Sequence, residues 1–291
     1  MGRHLKAEAF GAMSTNSRPA RHARMGAAII LKSWAWRNFP SILSQRWPAR
    51  VSLARLGATQ ETVEDSATPS CLQACRDKGM SKVNRSGQYD LAACLGPYGS
   101  RFEETWRDDA PLEQVRFVVL DCETTGLDVR RHRIVSIGAI AVSECEIDLG
   151  DAYEALLRVR FNTDATLVHG ITRDESRSGL DESEAMARLL SYLRDSVIVG
   201  HHIGHDLGMI NAALGRHTDG RLLNRHIDTG ELVLLLIDSG AFGDREPPMD
   251  LSLDGLCALF GVVPYDRHTA PGDAFLTAQV FLRLLRVAKR H

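Results

Sequence analysis

No stretch of this chain is apolar for long enough to cross a bilayer as a helix. The longest run near the start, Ala27 to Leu31, is broken by Lys32, whereas a helical span needs about 20 apolar residues. No membrane association of that kind is expected. Paired cysteine spacing is also missing. Cys71, Cys75, Cys94, Cys122, Cys145 and Cys257 form no CxxC pair, no His-x3-5-His follows them at zinc-finger spacing, and no secretory signal precedes them. That argues against a disulfide framework and against a zinc finger, and favours a reducing, cytoplasmic setting. Internal repeats and low-complexity tracts are absent too, which excludes solenoid and fibrous architectures.

Acidic residues are scarce at one end. Residues 1 to 60 contain ten Lys+Arg and a single acid, Glu8. Over residues 1 to 112 the count is 16 basic against 10 acidic, and over residues 113 to 291 it is 19 against 27. The first part therefore reads as a basic, poorly ordered extension and linker, with one helix expected around Trp34 to Leu56. An organellar transit peptide, a nucleic-acid-binding arm and translated sequence upstream of the true start all fit it. The second part reads as one acidic domain. Such a surface repels phosphate, so a nucleic-acid function needs a local basic path or bound cations. The same carboxylates are what divalent cations bind.

Strong patterning begins at Val115. Phe117 to Leu120 is a short apolar β-type run ended by Asp121, and Ile134 to Val142 is a second, separated from the first by the charged turn Asp128 to Arg133. Two such runs predict an antiparallel hairpin, and Ala152 to Arg160 predicts a third strand. Helical spacing follows over Asp181 to Leu193, then a buried-type strand Val197 to Val199 and a helix Asp206 to Leu214. A short strand near Ile227 precedes helices over Gly230 to Ile237, Leu251 to Phe260 and Pro271 to Val287. Strands first and alternating helices later imply an α/β sheet of mixed direction with helices on its faces.

The residues with chemical potential are spread along this frame. Asp121 and Glu123 stand at i and i+2, so a strand projects both carboxylates to one side. Thr124, Thr125 and Gly126 then offer hydroxyls, amides and a sharp turn. Asp206 lies near a helix N-terminus, and His268 stands five residues before Asp273 at the start of the last helix. Each also suits a structural role: a solvated strand end, an N-terminal acid satisfying the helix dipole, a loop histidine. Together they are the parts of a two-metal phosphoryl hydrolase.

In this order, Asp121-x-Glu123, Asp206 and His268-x4-Asp273 resemble the three motifs of the DEDDh family of 3′→5′ exonucleases, which includes the proofreading epsilon subunit of bacterial DNA polymerase III. Arg133 to Ala139, Val168 to Thr172, Ile227 to Thr229 and Phe260 to Val262 fit the same resemblance. It covers about residues 115 to 288 and implies a ribonuclease H-like mixed sheet. It also implies that Asp121, Glu123, Asp206 and Asp273 hold two Mg²⁺ or Mn²⁺ ions about 4 Å apart, hard cations that prefer oxygen ligands. His268 would act as general base, a role suited to imidazole. Thr124 and Leu127 match positions near the terminal nucleotide. The implied partners are single-stranded DNA or RNA 3′ ends and a DNA polymerase subunit, although the sequence shows no polymerase domain or clamp-binding element.

The second motif departs from the family, whose usual run is Gly-His-Asn, two residues, then Phe-Asp. Here His202 replaces the Asn and His205 the Phe. Those two positions therefore bear on substrate contact, by hydrogen-bonding a phosphate or stacking on a base, or else on local packing. The cluster Val199 to Leu207 also invites a zinc reading, with His201 and His205 at i and i+4. No Glu follows His201, so the His-Glu-x-x-His arrangement is absent. Three readings stay open at this point: a 3′→5′ exonuclease acting on DNA, an exoribonuclease trimming RNA, and a catalytically silent nucleic-acid- or partner-binding module.

Overall fold

The computed structural model describes residues 90–102, 110–159, 170–243, 248 and 250–290. The helix expected around residues 34–56 and most of the basic extension lie outside the described residues. Within them are five strands, β1 (Phe117–Thr124), β2 (Ile134–Ser143), β3 (Glu146–Leu156), β4 (Val197–Gly200) and β5 (His226–Asp228). The helices are α1 (Leu91–Ser100), α2 (Arg173–Arg177), α3 (Glu182–Leu193), α4 (Gly204–His217), α5 (Thr229–Ser239), α6 (Leu253–Phe260) and α7 (Ala270–Arg290).

The strands form one sheet in the order β3-β2-β1-β4-β5. The first three pair antiparallel as a meander, and β4 and β5 add parallel to β1. This is the mixed, ribonuclease H-like sheet with helices on both faces. The hairpin turn is closed by Asp128, whose carbonyl accepts from Arg131 and His132 at 3.0 and 2.8 Å and whose carboxylate accepts from the Arg130 amide at 2.9 Å. That is the side-chain-to-backbone capping for which aspartate is favoured in turns.

Strand alternation assigns residues to faces. Val118, Leu120 and Cys122 belong to the core formed with α1, α3 and α4. The odd positions face the other way, where Phe117 meets Phe281 of α7 edge-on with ring centroids 5.2 Å apart. Asp121 and Glu123 therefore share the α7 face.

Three boundaries differ from expectation. β1 continues through Asp121 to Thr124, because β2 supplies partners for that stretch, Asp121 opposite Gly138 and Glu123 opposite Ser136. β3 spans Glu146–Leu156 instead of beginning at Ala152. Its first half is mostly exposed and lacks the apolar signal that marks a strand. Leu91–Ser100, read as linker, is a helix whose Leu91, Cys94 and Tyr98 are buried in the core. The Tyr98 hydroxyl donates to Asn224 Oδ1 at 2.5 Å and accepts from the Leu223 amide at 2.8 Å. Its glycines and Pro97 obscured the helix in the sequence. The packed structure thus begins before residue 113.

Candidate active site

Two elements on the same face bring the first carboxylates together. Asp121 and Glu123 project from β1, and Asp273 sits in the first turn of α7. Gly138 makes the approach possible. It lies opposite Asp121 in β2, and a Cβ there would overlap the backbone of Ala270 and Pro271. A side chain at that position would lift the start of α7 away from β1. As a result Asp121, Glu123 and Asp273 each offer an oxygen within 4.8 Å of the others.

Asp206 comes from elsewhere. It is the third residue of α4 and is buried, and the neighbouring thiol and backbone of Cys122 favour its anion. Because Cys122 points to the α4 side of the sheet, Asp206 stands beside the other three acids and outside their group. Its charge nevertheless acts on Asp121.

Asp121, Glu123 and Asp206 resist ionisation in this setting. Burial, then the charges of Asp206, Asp273 and Glu123, hold Asp121 well above the usual carboxylate range. Burial and Asp273 raise Glu123 to about 7. Burial raises Asp206 to about 7 despite the hydrogen bonds that favour its anion. Such a set favours a cation that neutralises it. The donor set fits a hard divalent ion: all ligands are carboxylate oxygens, and Asp273 Oδ1 is buried without a hydrogen-bond partner.

The loop after β1 is pinned by Thr125. Its buried hydroxyl accepts from the Arg133 amide at 3.0 Å and lies 3.1 Å from His132 Nδ1. The His132 ring packs against Gly126 where a Cβ would stand. Thr124 donates its hydroxyl to the Gly126 carbonyl at 3.1 Å, and Leu127 is left 83 % exposed.

His268 is exposed, in left-handed backbone with φ 64°, and lies near Asp254. The structure sets it at the rim and not within the group of three carboxylates.

The histidine run separates into individual roles. α4 begins at Gly204, so His201 lies before it and does not share a helix face with His205. The His201 ring stands against His202 at 4.3 Å between centroids and its Nδ1 lies 2.9 Å from the Thr229 hydroxyl. Burial and His202 lower it to about 4, so it is neutral. His202 is exposed at φ 55°. His205 is half-buried, its Nε2 has no hydrogen-bond partner, and burial lowers its pKa. Among the described residues, the grouping able to hold an ion is the carboxylate one, and the zinc reading loses its geometric basis.

Sequence reasoning passed over Arg267, which pairs with both Asp254 and Asp273, and Cys122, which neighbours Asp206 and favours its anion. An arginine beside a motif histidine and a cysteine between two acids carry no signal until the fold is known.

The exonuclease family model matches residues 118–281, more than half of the chain. The chain belongs to the exonuclease family. Its motif set is that of the DEDDh 3′→5′ exonucleases. The chain is 31% identical over 186 residues to a DNA polymerase III subunit epsilon-like protein of Rhodobacter capsulatus, covering 62% of this chain and 25% of that protein. It is 30% identical over 185 residues to the PolC-type DNA polymerase III of Thermotoga maritima, covering 63% and 13%. The chain thus spans a quarter or less of the length of these relatives. In fold it is similar to E. coli exonuclease I, crystallised with a dT13 oligonucleotide, with a TM-score of 0.52 at 20% identity over 58% of this chain and 41% of that one. No helix among the described residues is long and apolar enough to cross a membrane.

Proposed function

We propose that this exonuclease removes nucleotides from the 3′ end of single-stranded DNA in a reaction that depends on divalent metal, Mg²⁺ or Mn²⁺. The observation that carries the proposal is the group of three carboxylates from β1 and α7, with their oxygens within 4.8 Å and one of them buried and unpartnered. The DNA polymerase III names of the relatives favour DNA, and they make a polymerase subunit the proposed protein partner.

Asp121, Glu123 and Asp273 would hold a pair of divalent ions, with Asp206 completing the set. The bound ions would neutralise the scissile phosphate and lower the pKa of the attacking water. Beta-strand geometry fixes Asp121 and Glu123, and burial in the first turn of α4 fixes Asp206, so the carboxylates are oriented before substrate arrives. His268, exposed at the rim, takes the proton of the attacking water on an imidazole nitrogen. The Leu127 side chain presents an apolar edge to the terminal base, and Thr124 holds the turn that presents it. His202 and His205 face substrate positions that the family fills with Asn and Phe, and a neutral His205 suits stacking on a base.

The test is a time course on 3′- and 5′-labelled DNA and RNA of equal sequence, with wild type and Asp121→Ala, in Mg²⁺ and in Mn²⁺. Release of labelled mononucleotide from the 3′ end of DNA by the wild type alone is expected. Faster loss of RNA would reassign the substrate, and degradation by Asp121→Ala at the wild-type rate would discard the site. Binding without release in either metal would make the protein a silent binding module.

A further inference from the structure

Arg267 has no part in the chemistry above, yet it reaches the acid cluster. Its Nη1 donates to Asp273 Oδ2. Its Nε and Nη2 donate to the two oxygens of Asp254 at 2.7 and 3.3 Å. Asp254 is exposed on α6 and Asp273 is buried on α7, so one guanidinium links the rim to the site. A planar fork of donors can hold two carboxylates at once, which a lysine ammonium does less well. The charge of Arg267 also acts on Asp121 and Glu123, against the repulsion of their neighbours. The Asp273 carboxylate is therefore divided: Oδ2 is taken by the arginine and Oδ1 is buried and open.

We propose that Arg267 is the resident counter-ion of the metal site, docked on Asp254, holding Asp273 while no divalent ion is bound and yielding it when one binds. Arg267 is then a positioning residue that sets the metal affinity. This rests on the reading that the carboxylates hold divalent ions. An acidic cluster with no cation beside it would destabilise the metal-free fold, whereas a cation that never yielded would exclude the metal. An arginine tethered outside the site avoids both.

The experiment is calorimetric titration of Mn²⁺ into metal-stripped full-length wild type, Arg267→Gln and Arg267→Lys, with thermal melting of each in EDTA. Arg267→Gln is expected to bind Mn²⁺ on the order of tenfold more tightly, the scale of one lost charge-assisted contact. It should also melt lower than wild type in EDTA. Arg267→Lys, with a point charge that cannot bridge both acids, should fall between, and it carries the test should the Gln variant not fold. A general structural defect would not tighten metal binding. Affinity equal to or weaker than wild type in both variants would overturn the proposal. If the wild type takes up no Mn²⁺, the metal site itself is wrong and the proposal falls with it.

Discussion

Replacing Glu123 by Gln should stabilise the metal-free protein at neutral and higher pH, although it removes a ligand. The Glu123 carboxyl is raised to about 7 by burial and by Asp273, from an ordinary value near 4.5 that holds in the unfolded chain. A carboxyl whose folded pKa lies above its unfolded pKa contributes stability below about pH 4.5 and loses it as pH rises through 7. At pH 8 its ionised form carries the whole penalty, nominally about 3.4 kcal/mol at 1.36 kcal/mol per pH unit. Partial exposure to solvent screens this to about 1–2 kcal/mol. The amide has the same shape without the charge, so it relieves that penalty and adds a donor toward Asp273.

For a domain of this size, 1–2 kcal/mol corresponds to roughly 2–8 °C in Tm. The assay is thermal melting in EDTA between pH 5 and 8, comparing the two proteins at each pH so that groups titrating equally in both cancel. The gap should be near zero at pH 5 and widest at pH 8. Saturating Mn²⁺ at pH 8 should reverse the order, because it neutralises the wild-type cluster and finds fewer ligands in the variant. A gap that is constant with pH, or a variant melting below wild type at pH 8 in EDTA, would refute the reasoning.

Other perturbations separate chemistry from folding. His268→Ala should lower the rate of nucleotide release by roughly 10²–10⁴ and leave the Tm near that of wild type, since the ring is exposed; steady-state rates and melting check both. Gly138→Ala should cost about 1–3 kcal/mol by overpacking and lower activity as well, because the start of α7 carries Asp273; denaturant unfolding and the same rate assay measure it. Tyr98→Phe should cost about 1–3 kcal/mol by leaving buried Asn224 Oδ1 without its donor, read from urea unfolding. Truncation before residue 110 should lower the melting temperature by removing α1, whose Leu91, Cys94 and Tyr98 are buried in the core.

Legibility in the sequence followed the strength of the local signal. β1, β2 and β4 are buried on both sides or nearly so, and they read as apolar runs. α3 and α7 show three- and four-residue spacing of their buried residues. β3 and α1 lack those signals. The first half of β3 is largely polar because it lies at the sheet edge, and α1 contains two glycines and Pro97. Their structure comes from pairing with β2 and from packing on α3. The acids were legible as motifs, but their division was not. The chain order of Asp121, Glu123, Asp206 and Asp273 does not say that three share the α7 face while Asp206 reaches in from the α4 side on Cys122.

The two surprises at the site have a common physical cause. The histidine run concentrates ligand-type side chains, yet His201 is turned to Thr229 and His202, and the helix begins too late to align it with His205. Local density of donors therefore says little about a metal site when the backbone between them changes direction at a strand-to-helix junction. The carboxylates show the converse: residues distant in sequence converge because Gly138 admits the α7 backbone against β2. Convergence of like charges has an energetic cost that no motif displays. In this protein it is met by Arg267, whose neighbours on α6 and α7 are known only once those helices pack together. A residue that compensates a site is selected by the electrostatics of the assembled fold, so it is found by following the uncompensated charge and not by extending the motif.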